Sequence, residues 1–482
     1  MTTPRSDVVR DREAQAPPPQ CPAHNLGHDL GPEGLVRIYG PAAEANPQAM
    51  YERLRREYGP VAPVLLHGDL PAWLVLGHRE NLEVMRTPSL YSRDSRIWTM
   101  FKEGRVPADS PLAPTLAWQP LCLFVDGEEH ARLRGAVNDG LGQFNRHGIR
   151  RYVVRYTRQL VDAFEPRGEA DLVKEYAEQL PMLVMTQLLG MPEENGPELV
   201  AAALDLIKGT ESALASNEYV VQTLRRLVER KKEEPGRDLA TTLLQHESGL
   251  TDDEVVEHLR LILVMANETT MNLIINTLRL VLTDGSFRAS LSGGQMTLPN
   301  ALDQVLWDAP PMSVIPGRWA TGDTVLAGQQ IKAGDLMMLG LAAGNVDPAI
   351  RPDPSASMYG NRSHLAFSNG PHGCPGQDIG RAIADTGIDA MLAMLPGLEL
   401  AVMDSELPVS SAWLSQRIQS LPVRFTPRHA LRTDDFHVST EAHKAQPLPG
   451  IAVDPVAPAP ASEPPAPSSW WRRLIGRARR RN

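Results

Sequence analysis

Apolar residues recur at helical spacing along most of the chain. This pattern predicts helices over 46–58, 150–164, 170–189, 198–208, 217–232, 238–246 and 251–282. The first opens with Asn46-Pro47, an N-cap followed by proline in the first turn. The last would run about 48 Å at 1.5 Å per residue, the length of a helix crossing the centre of a large domain. Strand-like segments are shorter and fewer: 73–77, 325–326, 329–331, 336–339 and 423–425. The fold class expected is mainly α with a minor β-sheet.

The periodicity fails at both ends. Residues 1–30 are polar, contain Pro17-Pro18-Pro19 and predict a disordered segment. Between Pro447 and Pro467 there are eight prolines, so 429–469 is expected to be a Pro/Ala-rich linker. The final stretch, 470–482, has six arginines and no acid. If it is helical, Trp470, Trp471, Leu474 and Ile475 share one face, which makes a basic amphipathic tail. A cationic tail that merely solubilises the chain, or a docking peptide for an acidic partner, fits the same residues. The folded domain expected is 31–428.

Composition narrows the class. A net charge of -10 argues against binding nucleic acid through overall positive charge. Three cysteines, Cys21, Cys122 and Cys374, are too few and too scattered for a disulfide scaffold or a structural zinc site. The longest apolar runs, such as Leu261 to Ala266, fall short of the roughly 20 residues that cross a bilayer. The first residues lack an apolar signal core. The default expectation is a cytoplasmic protein with reduced thiols.

The sharpest chemical signal is Phe367-Ser-Asn-Gly370-Pro-His372-Gly-Cys374-Pro-Gly376. A single cysteine is commonly just a small buried hydrophobe. Here glycines at 370, 373 and 376 permit positive φ and close backbone approach to a flat ligand. Such a loop can aim several N–H groups at one sulfur, and a helix N-terminus just after it favours a thiolate.

This segment resembles the cysteine loop of the cytochrome P450 haem-thiolate monooxygenases of bacterial type, matching Phe-x-x-Gly-x-His-x-Cys-x-Gly at every defined position. Asp126-Gly-Glu-Glu-His130-Ala-Arg-Leu-Arg134 is similar to the family's helix that reaches the haem propionates. Asn345-Val-Asp347-Pro348 and Leu421-Pro422-Val423 are similar to its stretch before the cysteine loop and its closing strand. Met265-Ala266-Asn267-Glu268-Thr269-Thr270 resembles the oxygen-activation segment Ala-Gly-x-Asp/Glu-Thr-Thr. The resemblance covers 31–428 and implies the cytochrome P450 fold with haem b and its iron as cofactor. It makes Cys374 the axial ligand to the metal. His130, Arg134, Arg318 and His372 would hold the propionates, with Phe367 and Gly376 against the sulfur side. Glu268 and Thr269 would deliver protons. Taken singly, each cation also reads as a solvated surface residue, and Glu268 as a side chain facing water. Ala266 stands where the family usually has glycine, which narrows the groove beside it.

A second departure is larger. The family's Glu-x-x-Arg on the helix before a Pro-Pro turn is Gln304 and Trp307 here. No cation lies between 352 and 361, so unless Arg362 fills the third place the whole charged triad is absent. Replacing every member of a buried charge cluster can be nearly neutral, whereas removing one costs about 3–5 kcal/mol. The fold is expected to survive, in a Trp-ending variant of the kind found in some actinobacterial members.

The resemblance implies an oxidoreductase that inserts one oxygen atom from dioxygen into a small apolar substrate. Electrons would come from a ferredoxin and its reductase, since no Gly-rich dinucleotide fingerprint is present. A competing reading is a haem-binding relative without turnover, serving as a sensor or as a partner in a membrane-associated assembly. A weaker one is a peroxide-driven oxygenase. Selectivity is expected from 95–125, from helices between 196 and 232, and from 313–315. The first carries Trp98, Phe101, Trp118 and four prolines, and reads either as a stiff apolar lid or as an ordinary surface loop. The tail would touch an anionic membrane, putting the protein peripherally at the inner face.

Overall fold

The structure is a computed structural model that describes residues 31, 34–106, 112, 116–208, 212–294, 296–411 and 414–427. The N-terminal segment, the proline-rich stretch and the basic tail expected from the sequence lie outside these residues, as do Cys21, Pro107, Pro111 and Pro114.

One helix, Asp252–Thr283, organises the larger part. Its start is fixed by a reciprocal cap: Thr251 accepts from the Glu254 N–H, and the Glu254 carboxylate accepts from the Thr251 N–H. Asp252, Asp253 and Glu254 fill the first turn, where the helix dipole favours negative charge. Helices Leu180–Leu189, Ala213–Glu233, Leu298–Asp308 and Gln377–Met394 pack on it. Their apolar faces merge into one core running from Leu133 on helix Gly127–Gly142 to Phe425. The Asp252–Thr283 helix is also long and apolar enough to cross a membrane. However, 56% of its most apolar window is buried inside the fold, so that length is matched by core packing.

The smaller part is a six-stranded sheet in the order Val36–Arg37, Val61–Leu66, Leu70–Val75, Leu336–Gly340, Val314–Ala320 and Tyr91–Ser92. A hairpin turning at Gly68 and Asp69, both with positive φ, joins the second and third strands. Between Ile315 and Arg318 the register of the Val314–Ala320 strand shifts. Gly317 sits in that bulge at φ 89°, a conformation suited to glycine.

Most predicted elements recur with shifted ends. The Asn46 side chain caps helix Pro47–Tyr58, the second helix begins at Arg146 under an Asn145 cap, and strand 73–77 becomes Leu70–Val75. The helix expected over 170–189 is three elements. Glu169–Asp171 pairs with Pro422–Arg424, a π-turn follows at Val173–Ala177, and a new helix begins at Leu180. Pro181 in its first turn has no N–H to continue a helix from upstream. The expected lid divides too. Trp98 is 2% exposed and packs beside Trp319, so it belongs to the sheet core. Phe101 points outward, and Arg96 covers the Trp118 ring at 4.4 Å.

Candidate active site

The cysteine loop leads into helix Gln377–Met394. The Cys374 N–H donates to the Phe367 carbonyl at 2.8 Å, folding the loop back on itself. Gly370 is obligatory: at φ 69° its added Cβ would lie 2.5 Å from the Met85 carbonyl. Gly376 leaves room in front of the sulfur, its ideal Cβ position lying 4.0 Å from Cys374 Sγ. Cys374 is exposed, whereas Cys122 is buried in the core. The packing around Cys374 pushes its thiol up, opposed by the Gly376 N–H and by Arg134. The loop therefore does not make a thiolate by itself; a bound cation must draw the proton off.

Beside this loop lies a buried cluster that the chain leaves incomplete. The His130 and His372 rings stand 4.1 Å apart. Asp126 is next to His372 Nε2 at 2.9 Å and also accepts from Ser92 Oγ and the Arg93 N–H. Burial opposes its charge, but these hydrogen bonds win and hold its carboxyl down at about 2. Burial, joined by Arg318, Arg93 and His130, lowers His372 to about 3 despite Asp126. Burial, Arg134 and Arg318 lower His130 as well. Arg318, 1% exposed, is depressed to about 9 by burial and by Arg93. Four buried atoms find no partner: His130 Nε2, His372 Nδ1, and Arg318 Nε and Nη1. Unpaired buried polar atoms cost free energy, and a guanidinium flanked by two protonatable imidazoles marks a place for acceptors supplied from outside. Two carboxylates match them, and haem carries two beside the iron that Cys374 would bind. The residues present fit the group.

The structure brings His130, His372 and Arg318 together as expected. It directs Arg134 elsewhere: its guanidinium donates to the Gly373 carbonyl and to Asn138 Oδ1 at 2.8 Å, bracing the cysteine loop. Phe367 borders the core beside the loop, with the Arg381 guanidinium 5.4 Å from its ring. Sequence reasoning missed Asp126 and Arg93. The buried Arg93 donates to the carbonyls of Leu123, Pro316 and Gly317, fixing the bulge that presents Arg318. A cation adjacent to an acid in Tyr-Ser-Arg-Asp gave no periodic signal.

On the central helix Thr269 Oγ1 donates to the Met265 carbonyl at 3.0 Å. Glu268 is half-buried and accepts from Ser415 Oγ at 3.4 Å, another partner absent from the sequence reading. In this stretch Met265 is exposed and Leu261, Glu268 and Thr269 are half-buried, on a helix buried before and after it. Thr270, one position on, faces the cysteine helix: its Oγ1 lies 3.5 Å from where a Gly380 Cβ would be.

The region of Gln304 and Trp307 corrects the expectation that charge is gone. Arg351, 4% exposed, pairs with Asp308 at 2.7 Å. Gln304 donates to the other Asp308 oxygen at 2.5 Å and accepts from the Met358 N–H at 2.6 Å. Trp307 donates its indole N–H to the Asn361 carbonyl at 2.8 Å and stacks on His78. Behind them the buried Asp303 holds Arg381 at 2.5 Å, with Arg362 at 3.8 Å. The charges have moved to neighbouring positions.

No family model matches the chain. Among curated proteins it is 31% identical over 393 residues to a vitamin D(3) 25-hydroxylase of Pseudonocardia autotrophica, covering 80% of this chain and 95% of that one. It is 28% identical over 387 residues to a 2-hydroxy-5-methyl-1-naphthoate 7-hydroxylase of Streptomyces carzinostaticus, covering 78% and 94%. A myxobacterial cytochrome P450 in complex with myristic acid superposes with a TM-score of 0.71 at 26% identity, covering 80% and 98%. A fold of this class, with a cysteine loop beside a buried arginine and two imidazoles that lack partners, is that of a haem-thiolate protein. The chain belongs to the cytochrome P450 family. Its activity is that of an oxidoreductase with haem iron as cofactor.

Proposed function

We propose that the protein inserts one oxygen atom from dioxygen into a lipophilic small molecule, drawing electrons from a ferredoxin and its reductase. The observation that carries this is an exposed Cys374 on the loop that also brings His372 beside His130 and Arg318, four of whose buried nitrogens have no partner. Residues 31–428 form the haem domain. When bound through the Cys374 thiolate, haem supplies the iron chemistry that activates dioxygen. The chain's own residues do the rest. His130, His372 and Arg318 hold the two carboxylates by charge-assisted hydrogen bonds. Arg134 fixes the Gly373 carbonyl and with it the cysteine loop. Glu268, linked to Ser415, takes up protons at its carboxylate, and Thr269, whose hydroxyl donates to the Met265 carbonyl, passes one on by turning from that carbonyl.

The substrate is of the lipophilic kind that the relatives' names describe: vitamin D(3), an aromatic acid, myristic acid. The basic tail 470–482 attaches the protein peripherally to an anionic membrane. Co-sedimentation with anionic vesicles is lost on removing 468–482, and binding indifferent to salt or to that deletion refutes the attachment. For the central reading, the test is the reduced carbon monoxide spectrum. The thiolate-type Soret band is expected in the parent and in Cys122→Ser, and absent in Cys374→Ala. A Cys374→Ala protein that keeps the band overturns the assignment.

A further inference from the structure

Glu268 stands in the middle of a helix without a counter-charge. Among the described residues its side chain has one hydrogen-bond or ion-pair partner, the neutral hydroxyl of Ser415, which donates to Oε1 at 3.4 Å. The helix explains why the carboxylate points that way. Glu268, Asn272 and Asn276 follow at intervals of four and share one face. Asn272 donates to the Pro311 carbonyl at 3.2 Å and Asn276 to the Ala309 carbonyl at 3.1 Å. That face is turned toward the Pro-Pro turn, and Glu268 at its upstream end meets the hairpin fastened beside it. Ser415 directly precedes strand Gln416–Ile418, which pairs with Val409–Ser411. The Leu414 carbonyl accepts from the Ser313 and Val314 N–H groups at 2.7 and 3.2 Å, which ties the hairpin turn to the start of the Val314–Ala320 strand. Ser415 is half-buried and its neighbour Gln416 is exposed, so the hydroxyl stands where solvent gives way to the carboxylate. A cation in this place would pin Glu268 in an ion pair. A hydroxyl both donates and accepts, so it can give up a proton and be refilled.

We propose that Ser415 is the solvent-side link in the proton supply to Glu268. This rests on the reading that Glu268 takes up protons for the reaction with dioxygen. In the step the Ser415 O–H bond breaks and its proton joins Glu268 Oε1, while Oγ takes a proton from solvent water. The serine ends unchanged, the carboxylate becomes a carboxylic acid, bulk solvent supplies the net proton, and no electron moves. The bond lies at the long end of the hydrogen-bond range, so the carboxyl is weakly held and leaves the serine once it is protonated. Ser415 acts through Glu268 and is a positioning and relay residue. The tie of Leu414 to Ser313 and Val314 keeps the hydroxyl in place between deliveries.

The experiment uses the haem-loaded full chain as parent, Ser415→Ala, Ser415→Thr, Glu268→Ala and the Ser415→Ala, Glu268→Ala pair. Each is reduced with dithionite and mixed with aerated buffer in water and in deuterium oxide, and the return of the ferric spectrum is timed. In Ser415→Ala the return is expected to slow by about threefold or more, with a larger solvent isotope effect. Ser415→Thr keeps the hydroxyl and is expected to behave as the parent. Adding Ser415→Ala to Glu268→Ala is expected to slow the return no further. A Ser415→Ala protein with the parent's rate and isotope effect overturns the proposal, and so does a slowing that multiplies with that of Glu268→Ala. Failure of the underlying reading looks different: Glu268→Ala then keeps the parent's rate and isotope effect. Urea midpoints of the same proteins read the contact without any reaction. Both single variants delete one hydrogen bond, so their shifts are expected not to add in the pair, and full additivity overturns the link. Both side chains are half-buried, so the variants are expected to fold, and circular dichroism checks it.

Discussion

Two buried polar clusters flank the core, and they differ in what they lack. The first, His130, His372 and Arg318 around Asp126, leaves four atoms without a partner. In the second, both ends of the Gln304 amide, the Trp307 indole N–H and both Asp308 oxygens find partners inside the chain. There the cations, Arg351 and Arg381, already have carboxylates within the chain, although one nitrogen of each stays unpartnered, whereas in the first two nitrogens of Arg318 have no partner and no carboxylate pairs with it among the described residues. This is why the loss of the family's charged pair at 304 and 307 does not imply a lost cofactor. Under the function proposed, only the first cluster meets the cofactor, and three of its four expected residues, His130, His372 and Arg318, stand together there.

The sharpest way to break the comparison is Arg318→Met. If Arg318 waits for an anion, the haem-free protein gains about 1–3 kcal/mol, because an uncompensated buried charge is removed. The loaded protein loses a charge-assisted hydrogen bond, about 1.5–3 kcal/mol, and releases haem roughly tenfold to a hundredfold faster. Urea melts of the haem-free form and haem transfer to an acceptor measure the two effects. Both falling together would make Arg318 a structural cation and erase the distinction.

The second cluster predicts opposite behaviour. Gln304→Glu replaces an amide that donates to Asp308 by a carboxylate 2.5 Å from it. Removing that donor and adding a like charge is expected to cost about 1–3 kcal/mol, with no change in haem retention. Asp308→Asn in the same protein restores a donor and removes the repulsion, so most of the loss returns. A Gln304→Glu single variant as stable as the parent would show that the hydrogen bond is not made. The like charge of Asp308 is the cause of the expected loss.

Acid separates the clusters next. Burial first, then Arg381 beside it, lowers His364 to about 3 from its usual 6.5. The unfolded chain binds that proton more readily, so the stability is full above pH 6.5 and is lost as pH falls toward 3, at about 1.4 kcal/mol per pH unit. His372 is likewise lowered to about 3, but two carboxylates in the pocket would favour its charged form. Haem loading should therefore abolish the contribution of His372 and leave that of His364. Denaturant melts from pH 7 to 5 on His364→Gln and His372→Gln, loaded and unloaded, test this. An equal effect of haem on both histidines would contradict it.

What the sequence made legible divides along the same line. The cysteine loop and the placing of His130 near it were readable because ligand chemistry demands fixed residue types at fixed spacing, and the long helix because its apolar residues recur at helical period. The Val61–Leu66 strand was not, because it is buried on nearly every position and shows no two-residue alternation. The break inside 170–189 was hidden because a π-turn and a short strand carry the same apolar density as a helix. Asp126, Arg93, Ser415 and Arg351 were missed for another reason. Each acts through a partner at least 30 positions away. No local spacing encodes such pairs.

The smallest expected effect lies in the cysteine loop. Ser368 adopts φ 59° and Gly370 φ 69°, two left-handed residues two positions apart. At 370 only glycine fits, since any Cβ meets the Met85 carbonyl and the Arg86 Cα. At 368 a serine already tolerates the conformation, at about 1 kcal/mol. Ser368→Gly removes that strain but frees the unfolded chain, which costs about 0.4–1 kcal/mol. The two nearly cancel, so a change within about 0.5 kcal/mol is expected, with the carbon monoxide spectrum unaltered. Gly370→Ala, by contrast, must move backbone at Met85 and should cost at least about 2 kcal/mol while loosening the loop that presents Cys374. Thermal melts and the spectrum of the two variants decide it. If Ser368→Gly were the more damaging of the two, the loop would be held by the serine side chain, and the close approach to Met85 would not be what fixes its shape.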